Sequence, residues 1–235
     1  MGQTELYVNE AENLLSKNKV KILKGIGVKQ IKICEGRVTG VDADSIKKSK
    51  YVISAVPYFK LQNILPQGIT QKYPFSKLKL FTSAPIISIN LWFDRAVMDI
   101  DFVGLVQKNL QWVFNKHRIM YETQKPDNYI TAVISGAYKY IHLTKYELVS
   151  LAIKDLTEVF PKIKTAVLKH SLVIKEKRAT FSASSEVEQY RPNHETPVEN
   201  LFLAGDWTNT GLPATIEGAV QSGFECARLI IEREE

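Results

Sequence analysis

The stretch LFLAGDWTNTGLPATIEGAVQSG, residues 201–223, decides how this chain is read. Its first residues form a near-continuous apolar run, the pattern of a strand buried on both faces of a parallel sheet. The run stops at Gly205-Asp206. Gly205 allows another backbone or a ligand to approach closely, and Asp206 falls at the carboxyl end of the strand, where open α/β sheets place their ligands. A carboxylate there accepts hydrogen bonds from sugar hydroxyls. Pro213 suits the first position of a following helix, where its missing N–H costs nothing. In that helix Ala214, Gly218, Ser222 and Cys226 recur every fourth residue and form a ridge of small side chains, beside an apolar stripe of Ile216, Val220, Phe224 and Ala227. Glycine inside a helix costs roughly 1 kcal/mol against alanine, so a close approach is expected along the ridge. The first N–H groups of the helix, near residues 213–216, suit an anionic or electron-rich ligand edge. A second reading stays open: a terminal helix packed on a sheet, with Asp206 an ordinary turn residue.

Outward from this stretch, periodicity predicts the other elements. Leu6, Val8, Ala11, Leu14 and Leu15 are spaced as one helix face over residues 4–18. Short β-branched runs at 20–23 (VKIL), 28–34 (VKQIKIC), 37–43 (RVTGVDA) and 51–56 (YVISAV) predict strands, the middle two forming a meander. Pro57 closes the last of them, since proline cannot donate to a ladder. Residues 61–80 read as irregular helix. Strands are predicted at 84–93, 102–106, 110–116, 129–135 and 167–181. Between the last two lies an amphipathic helix over 144–160, opened by a Thr144/Glu147 capping box and closed by Pro161.

Composition sets the class. The chain has 235 residues, 45% hydrophobic and 24% charged, the balance of a globular protein of one or two domains. No apolar run approaches the roughly 20 residues that span a bilayer. The opening residues lack a basic segment followed by an apolar one, so no signal peptide is read there. Two cysteines far apart, Cys34 and Cys226, give neither a disulfide framework nor a CxxC, and a reducing cytoplasm is the expected location. The formal charge of +6 is spread along the chain. Solvated faces account for it, with attraction to anionic lipid as the alternative, and no zinc-finger spacing or RNP-like motif supports nucleic acid.

No catalytic apparatus is visible. His117, His142, His170 and His194 stand apart, with no HExxH, so no metal site is expected; GxSxG and GxxxxGK[ST] are also missing. GIGVKQ (25–30) has Gln30 at the third glycine position and does not open a helix, so it is not a dinucleotide fingerprint.

The residues of 201–223 resemble the carboxy-terminal flavin motif of the FAD-dependent amine oxidase and phytoene desaturase superfamily, and within it most closely the squalene-associated desaturases, the hydroxysqualene dehydroxylases. RATFSASSEVEQYRP (178–192), LQWVFNK (110–116) and the segment from VKIL to YVISAVP are similar to other blocks of that family, so the resemblance covers nearly the whole chain. It implies an α/β (α+β), two-lobed flavoprotein: a partial FAD-binding lobe from 1–60 and 186–235, and an antiparallel-sheet substrate lobe from 61–185. It implies FAD as cofactor. Gly205 and Asp206 would meet its ribityl or pyrophosphate end, and the backbone of Pro213, Ala214, Thr215 and Ile216 would face the flavin pyrimidine ring. Val28 would contact adenine through its backbone, Ala55 and Pro57 would pass near the cofactor, and Trp207 and Thr208 would border the flavin or substrate cavity. For Trp207 a packing role is the alternative. No catalytic residue is assigned.

Family members begin with a strand–GxGxxG–helix unit, which this sequence does not contain. The expectation is a truncated sequence or one half of a split enzyme, completed by an amino-terminal FAD-binding partner chain, or an oligomer that covers the exposed lobe. The implied function is hydride transfer to or from a long isoprenoid such as hydroxysqualene or a carotenoid precursor, with peripheral membrane contact. A non-catalytic subunit that needs its partner is one alternative. A generic flavin amine oxidase is another, although no aromatic pair flanking the flavin can be identified.

Overall fold

The computed structural model describes residues 4–120 and 128–235. It divides into two compact units, Met1–Ile22 with Ala84–Ala179, and Leu23–Ser83 with Thr180–Glu235. The sequence places these breaks at 60/61 and 185/186. The segment 61–83 clusters instead with the second unit, because Leu61, Leu65, Phe75, Leu78 and Phe81 are buried there with Leu201 and Leu203.

The first unit opens with a π-helical turn, Thr4–Val8, that runs into α1 (Asn9–Lys17). No residue of α1 is buried, and Leu6 and Leu14 on its predicted apolar face stand open.

The second unit carries an antiparallel meander of β1 (Gln30–Cys34), β2 (Arg37–Asp42) and β3 (Ile46–Lys48). Gly40 has φ +149°, and a Cβ there would lie 2.1 Å from the Lys47 carbonyl oxygen, so the close β2–β3 pairing needs glycine. Next comes β4 (Val52–Ser54), followed by α2 (Tyr58–Ile64), α3 (Gln67–Thr70) and a 3-10 turn at Phe75–Leu80. The predicted strand at 20–23 is not formed. Val20, Ile22 and Leu23 are exposed, and without a neighbouring ladder their β-branched character has nothing to pack against.

In the first unit, β5 (Ser83–Phe93), β6 (Phe102–Gly104), β7 (Trp112–Asn115), α4 (Lys116–Met120), β8 (Tyr129–Ser135) and α5 (Lys145–Val159) follow in order. A further strand, β9 (Leu168–Phe181), completes a five-stranded sheet of order β6-β7-β8-β5-β9. Ile87, Ile89, Leu91 and Phe93 alternate along β5, as do Ile130, Ala132 and Ile134 along β8, and both sets pack against Leu148, Ala152 and Leu156 of α5. Thr144 caps α5 with the predicted box: its hydroxyl accepts from Glu147 N, and Glu147 Oε2 accepts from Thr144 N at 2.7 Å. That bond holds the Glu147 carboxyl below the ordinary carboxylate range.

The opposite face of the sheet is aromatic. Register pairs Phe102 with Phe114, Phe114 with Thr131, Thr131 with Asn90, and Trp92 with Tyr129. Trp92 and Tyr129 stack at 4.3 Å. A buried polar knot on this face is closed: Asn90 Oδ1 accepts from Tyr129 Oη at 2.7 Å and Thr131 Oγ1 at 2.8 Å.

The chain returns to the second unit through α6 (Ser185–Glu188), β10 (Leu201–Leu203) and α7 (Ile216–Glu232). Among the described residues no helix is long and apolar enough to cross a membrane.

Candidate cofactor site

β10 and β4 run parallel, with Leu201 opposite Val52, Phe202 opposite Ile53 and Leu203 opposite Ser54. All three residues of β10 are buried, as their composition predicts. Parallel register brings both carboxyl ends together. Ala55, Val56 and Pro57 leave β4 at the same level as Ala204, Gly205 and Asp206 leave β10, and Ala204 N donates to Ser54 O at 3.0 Å. This is the strand-end position at which α/β sheets take ligands.

Gly205 has φ +137°, and a Cβ there would lie 2.6 Å from Trp207 Nε1. The close approach predicted at Gly205 is therefore made by the indole of Trp207. Trp207 is buried in the core of this unit, and its Nε1–H donates to Val56 O at 3.2 Å, pinning one strand end to the other. Thr208 is buried and turns back, its Oγ1 donating to Gly205 O at 2.7 Å. These two side chains build the turn. Asp206 is half-exposed, and its carboxylate receives one long bond, 3.5 Å from Thr180 Oγ1. Its remaining acceptor capacity has no bond to the described residues.

The helix starts later than the sequence predicts. Pro213 lies in the loop. Thr215 is the N-cap, with φ −142°, and its Oγ1 accepts from Gly218 N at 3.1 Å. The N–H groups of Ile216 and Glu217 belong to the first turn and have no acceptor within the helix ladder. Pro213, Thr215 and Ile216 are exposed and Ala214 is half-buried, so this backbone lines an accessible surface. Val28 is exposed just before β1, and Ala55 and Pro57 are exposed after β4.

The small ridge of α7 serves the strand. Ser222 Oγ accepts from Gly205 N at 2.7 Å, Cys226 Sγ donates to Leu203 O at 3.2 Å, and a Cβ on Gly218 would lie 3.3 Å from Pro213 O. The neighbouring stripe is open instead: Ile216, Val220 and Phe224 are exposed. Phe224 borders a cleft of about 870 Å³ shared with His194, Asn209, Thr210, Glu225 and Arg228.

Burial pushes the Cys226 thiol up to about 11 from an ordinary 9.0. The raised folded value favours the protonated form, so this contribution to stability is whole below about pH 9 and is lost as pH climbs toward 11. Cys34 is exposed. At pH 8 a thiol reagent is expected to label Cys34 alone in the native protein and both cysteines after denaturation. Rapid native labelling of Cys226 would contradict this packing.

One contributor lies in the 178–192 block but is not singled out by the sequence. Arg191 is buried, and its guanidinium reaches Asp206 O, Thr210 Oγ1 and Leu212 O. Bonds from a loop arginine to backbone carbonyls leave no periodic or motif signal.

The model of the family described as flavin containing amine oxidoreductase matches residues 5–231. The chain belongs to the flavin-containing amine oxidoreductase family. Curated relatives include a 15-cis-phytoene desaturase of Synechococcus elongatus, 29% identical over 204 residues, covering 84% of this chain and 43% of that protein. A hydroxysqualene dehydroxylase of Zymomonas mobilis is 32% identical over 189 residues, covering 78% and 39%. The chain thus spans less than half the length of either relative. Among solved structures, an oxidoreductase from Methanosarcina mazei matches at TM-score 0.71 and 21% identity, over 93% of this chain and 53% of that one. A redesigned putrescine oxidase matches at TM-score 0.68 and 18% identity, over 99% and 53%. Both show the amine oxidase type of fold.

Proposed function

We propose that this chain supplies one wall of an FAD site and an apolar bed for a long isoprenoid, such as hydroxysqualene or a carotenoid precursor, in an oxidoreductase that moves hydride to or from that substrate. The observation that carries the reading is the joint carboxyl end of β4 and β10, where a half-exposed carboxylate, exposed strand-end backbone and the start of α7 lie on one loop system. The donor set suits the cofactor. Asp206 would accept from the ribityl hydroxyls, Gly205 would let the chain pass close, and the Pro213–Ile216 backbone would meet the pyrimidine edge, where the helix N-terminus favours negative charge. Val28 would offer backbone to adenine, with Ala55 and Pro57 beside the cofactor. Trp207 and Thr208 would act from behind, by shaping the turn. Bound FAD supplies the two-electron chemistry, and the protein positions it and excludes water.

The isoprenoid part rests on the relatives' names and on the aromatic face of the five-stranded sheet, where Phe102 and Trp112 remain exposed. Oxidised flavin-loaded protein mixed anaerobically with phytoene should bleach its visible flavin band, and dithionite-reduced flavin-loaded protein mixed anaerobically with hydroxysqualene should regain it. Bleaching by putrescine alone would transfer the reading to amine oxidation.

A second reading concerns a partner. Among the described residues no strand pairs with the outer edge of β4, and the apolar stripe of α7 is open. An amino-terminal segment bearing GxGxxG, or a second copy of the chain, would cover such surfaces. A monodisperse monomer by light scattering would count against this. A cytoplasmic location with peripheral membrane contact accompanies the isoprenoid reading.

A further inference from the structure

We infer that Arg191 is the positioning residue of the flavin wall, holding Asp206 and the start of α7 at a set separation. The inference rests on the reading that this loop lines a flavin.

Arg191 follows α6 in the lead to β10, and its side chain is only 2% exposed. Nη1 donates to Leu212 O at 2.8 Å and to Glu188 Oε1 at 2.8 Å. Nη2 donates to Asp206 O at 3.0 Å and to Thr210 Oγ1 at 3.1 Å. Three of these four acceptors sit on the single loop that joins β10 to α7, at its beginning, middle and end. The guanidinium carbon lies 5.3 Å from the centre of the Phe181 ring, which fixes the plane of the fork. Nε is buried with no protein acceptor, so desolvation of this cation is tolerated for what the two terminal nitrogens hold.

The loop has few other ties across its span. Thr208 N and Thr210 N bond within it, Leu212 N bonds to Thr210 Oγ1, and Asn209 N reaches Pro192 O at 2.8 Å. The bonds within the loop shape local turns, while Asn209 anchors its middle to Pro192 O and, through Nδ2 at 3.1 Å, to Asn193 Oδ1. Among the described residues the guanidinium is the group that bonds both Asp206 O and Leu212 O, beside the Gly205 N–Ser222 Oγ bond that ties the start of the loop to α7. Lysine cannot replace it, because an ammonium lacks the planar fork that serves separate acceptors at once. Arg191 itself need not touch the cofactor.

The test uses the full chain loaded with FAD, alone and mixed with a separately produced strand–GxGxxG–helix segment of the family type. Arg191→Lys and Arg191→Gln are compared with wild type by hydrogen exchange and by FAD titration. Thr210→Val, which removes one acceptor and leaves the buried arginine, guards against a variant that fails to fold. The expected result is exchange at least tenfold faster in residues 206–212, with β5, β8 and α5 unchanged. The FAD dissociation constant should rise at least tenfold in both arginine variants, and the flavin fluorescence should rise as the ring becomes more mobile. Unchanged exchange in 206–212 would overturn the inference, as would faster exchange throughout the second unit, or a loosened loop with unaltered FAD affinity. A wild type that takes no FAD would remove the flavin reading itself, a result distinct from a yellow wild type matched by its variants.

Discussion

Gly205→Ala is expected to destabilise the protein by about 3 kcal/mol, combining the cost of a non-glycine residue at a strained φ with overpacking in a filled core. The new Cβ would meet Trp207 Nε1 at 2.6 Å and the backbone holds φ at +137°. The indole must move, and its bond to Val56 O is then lost. The effect reaches the site as well as stability, because Trp207 ties the ends of β4 and β10 together. For a chain of this size Tm should fall by roughly 10 °C. Gly27→Ala is the control: nothing lies within 4 Å of a Cβ there. Equal Tm for the two variants would refute the close approach.

Asp155→Ala should cost about 3 kcal/mol in the antiparallel unit, since it strips the acceptor from two backbone N–H groups, one of them on the buried Leu110. Asp155 is 4% exposed on α5. Its Oδ2 accepts from Asn109 N at 2.7 Å and Leu110 N at 3.1 Å, so the loop before β7 hangs on this carboxylate. Leu110 is itself fully buried, and its N–H would be left without a partner. Asp155→Asn keeps one acceptor oxygen and should lose less. Urea unfolding measures both, and a loss below about 1 kcal/mol for the alanine variant would show that water or a shifted loop replaces the carboxylate.

Strand and helix were legible wherever one face is buried and the other is not. β8 coincides with the predicted 129–135, because Ile130, Ala132 and Ile134 alternate with Tyr129, Thr131 and Val133. The α5 capping box was readable because both partners lie within three residues. The reading at 20–23 fails for the complementary reason: a strand needs a neighbour, and four apolar residues do not say whether one is present. The start of α7 was placed at Pro213 because proline suits a first turn, yet Thr215 offers a hydroxyl to Gly218 N and takes the cap. The small ridge was seen correctly as a close contact. Which contact it makes depends on Ser222 Oγ and Cys226 Sγ reaching β10, a matter of depth that spacing does not encode. Trp207 and Arg191 show the same limit. Their partners are main-chain carbonyls, Val56 O for one and Asp206 O and Leu212 O for the other, and backbone partners are invisible to residue identity.

The strand–loop–helix that carries the proposed site was legible as a motif, and the structure gives its residues different surroundings. Asp206 is half-exposed and the start of α7 is exposed, while Trp207, Thr208, Arg191 and Ser222 are buried and hold the loop. The most direct test is the visible absorbance of the purified chain after FAD is added and unbound FAD removed, alone and with a separately produced GxGxxG-bearing segment of the family type, in wild type and Asp206→Ala. The account predicts a yellow wild-type complex with the segment, and at least tenfold weaker FAD retention in Asp206→Ala. A wild-type complex that stays colourless, or an Asp206→Ala complex that retains FAD as wild type does, would contradict it.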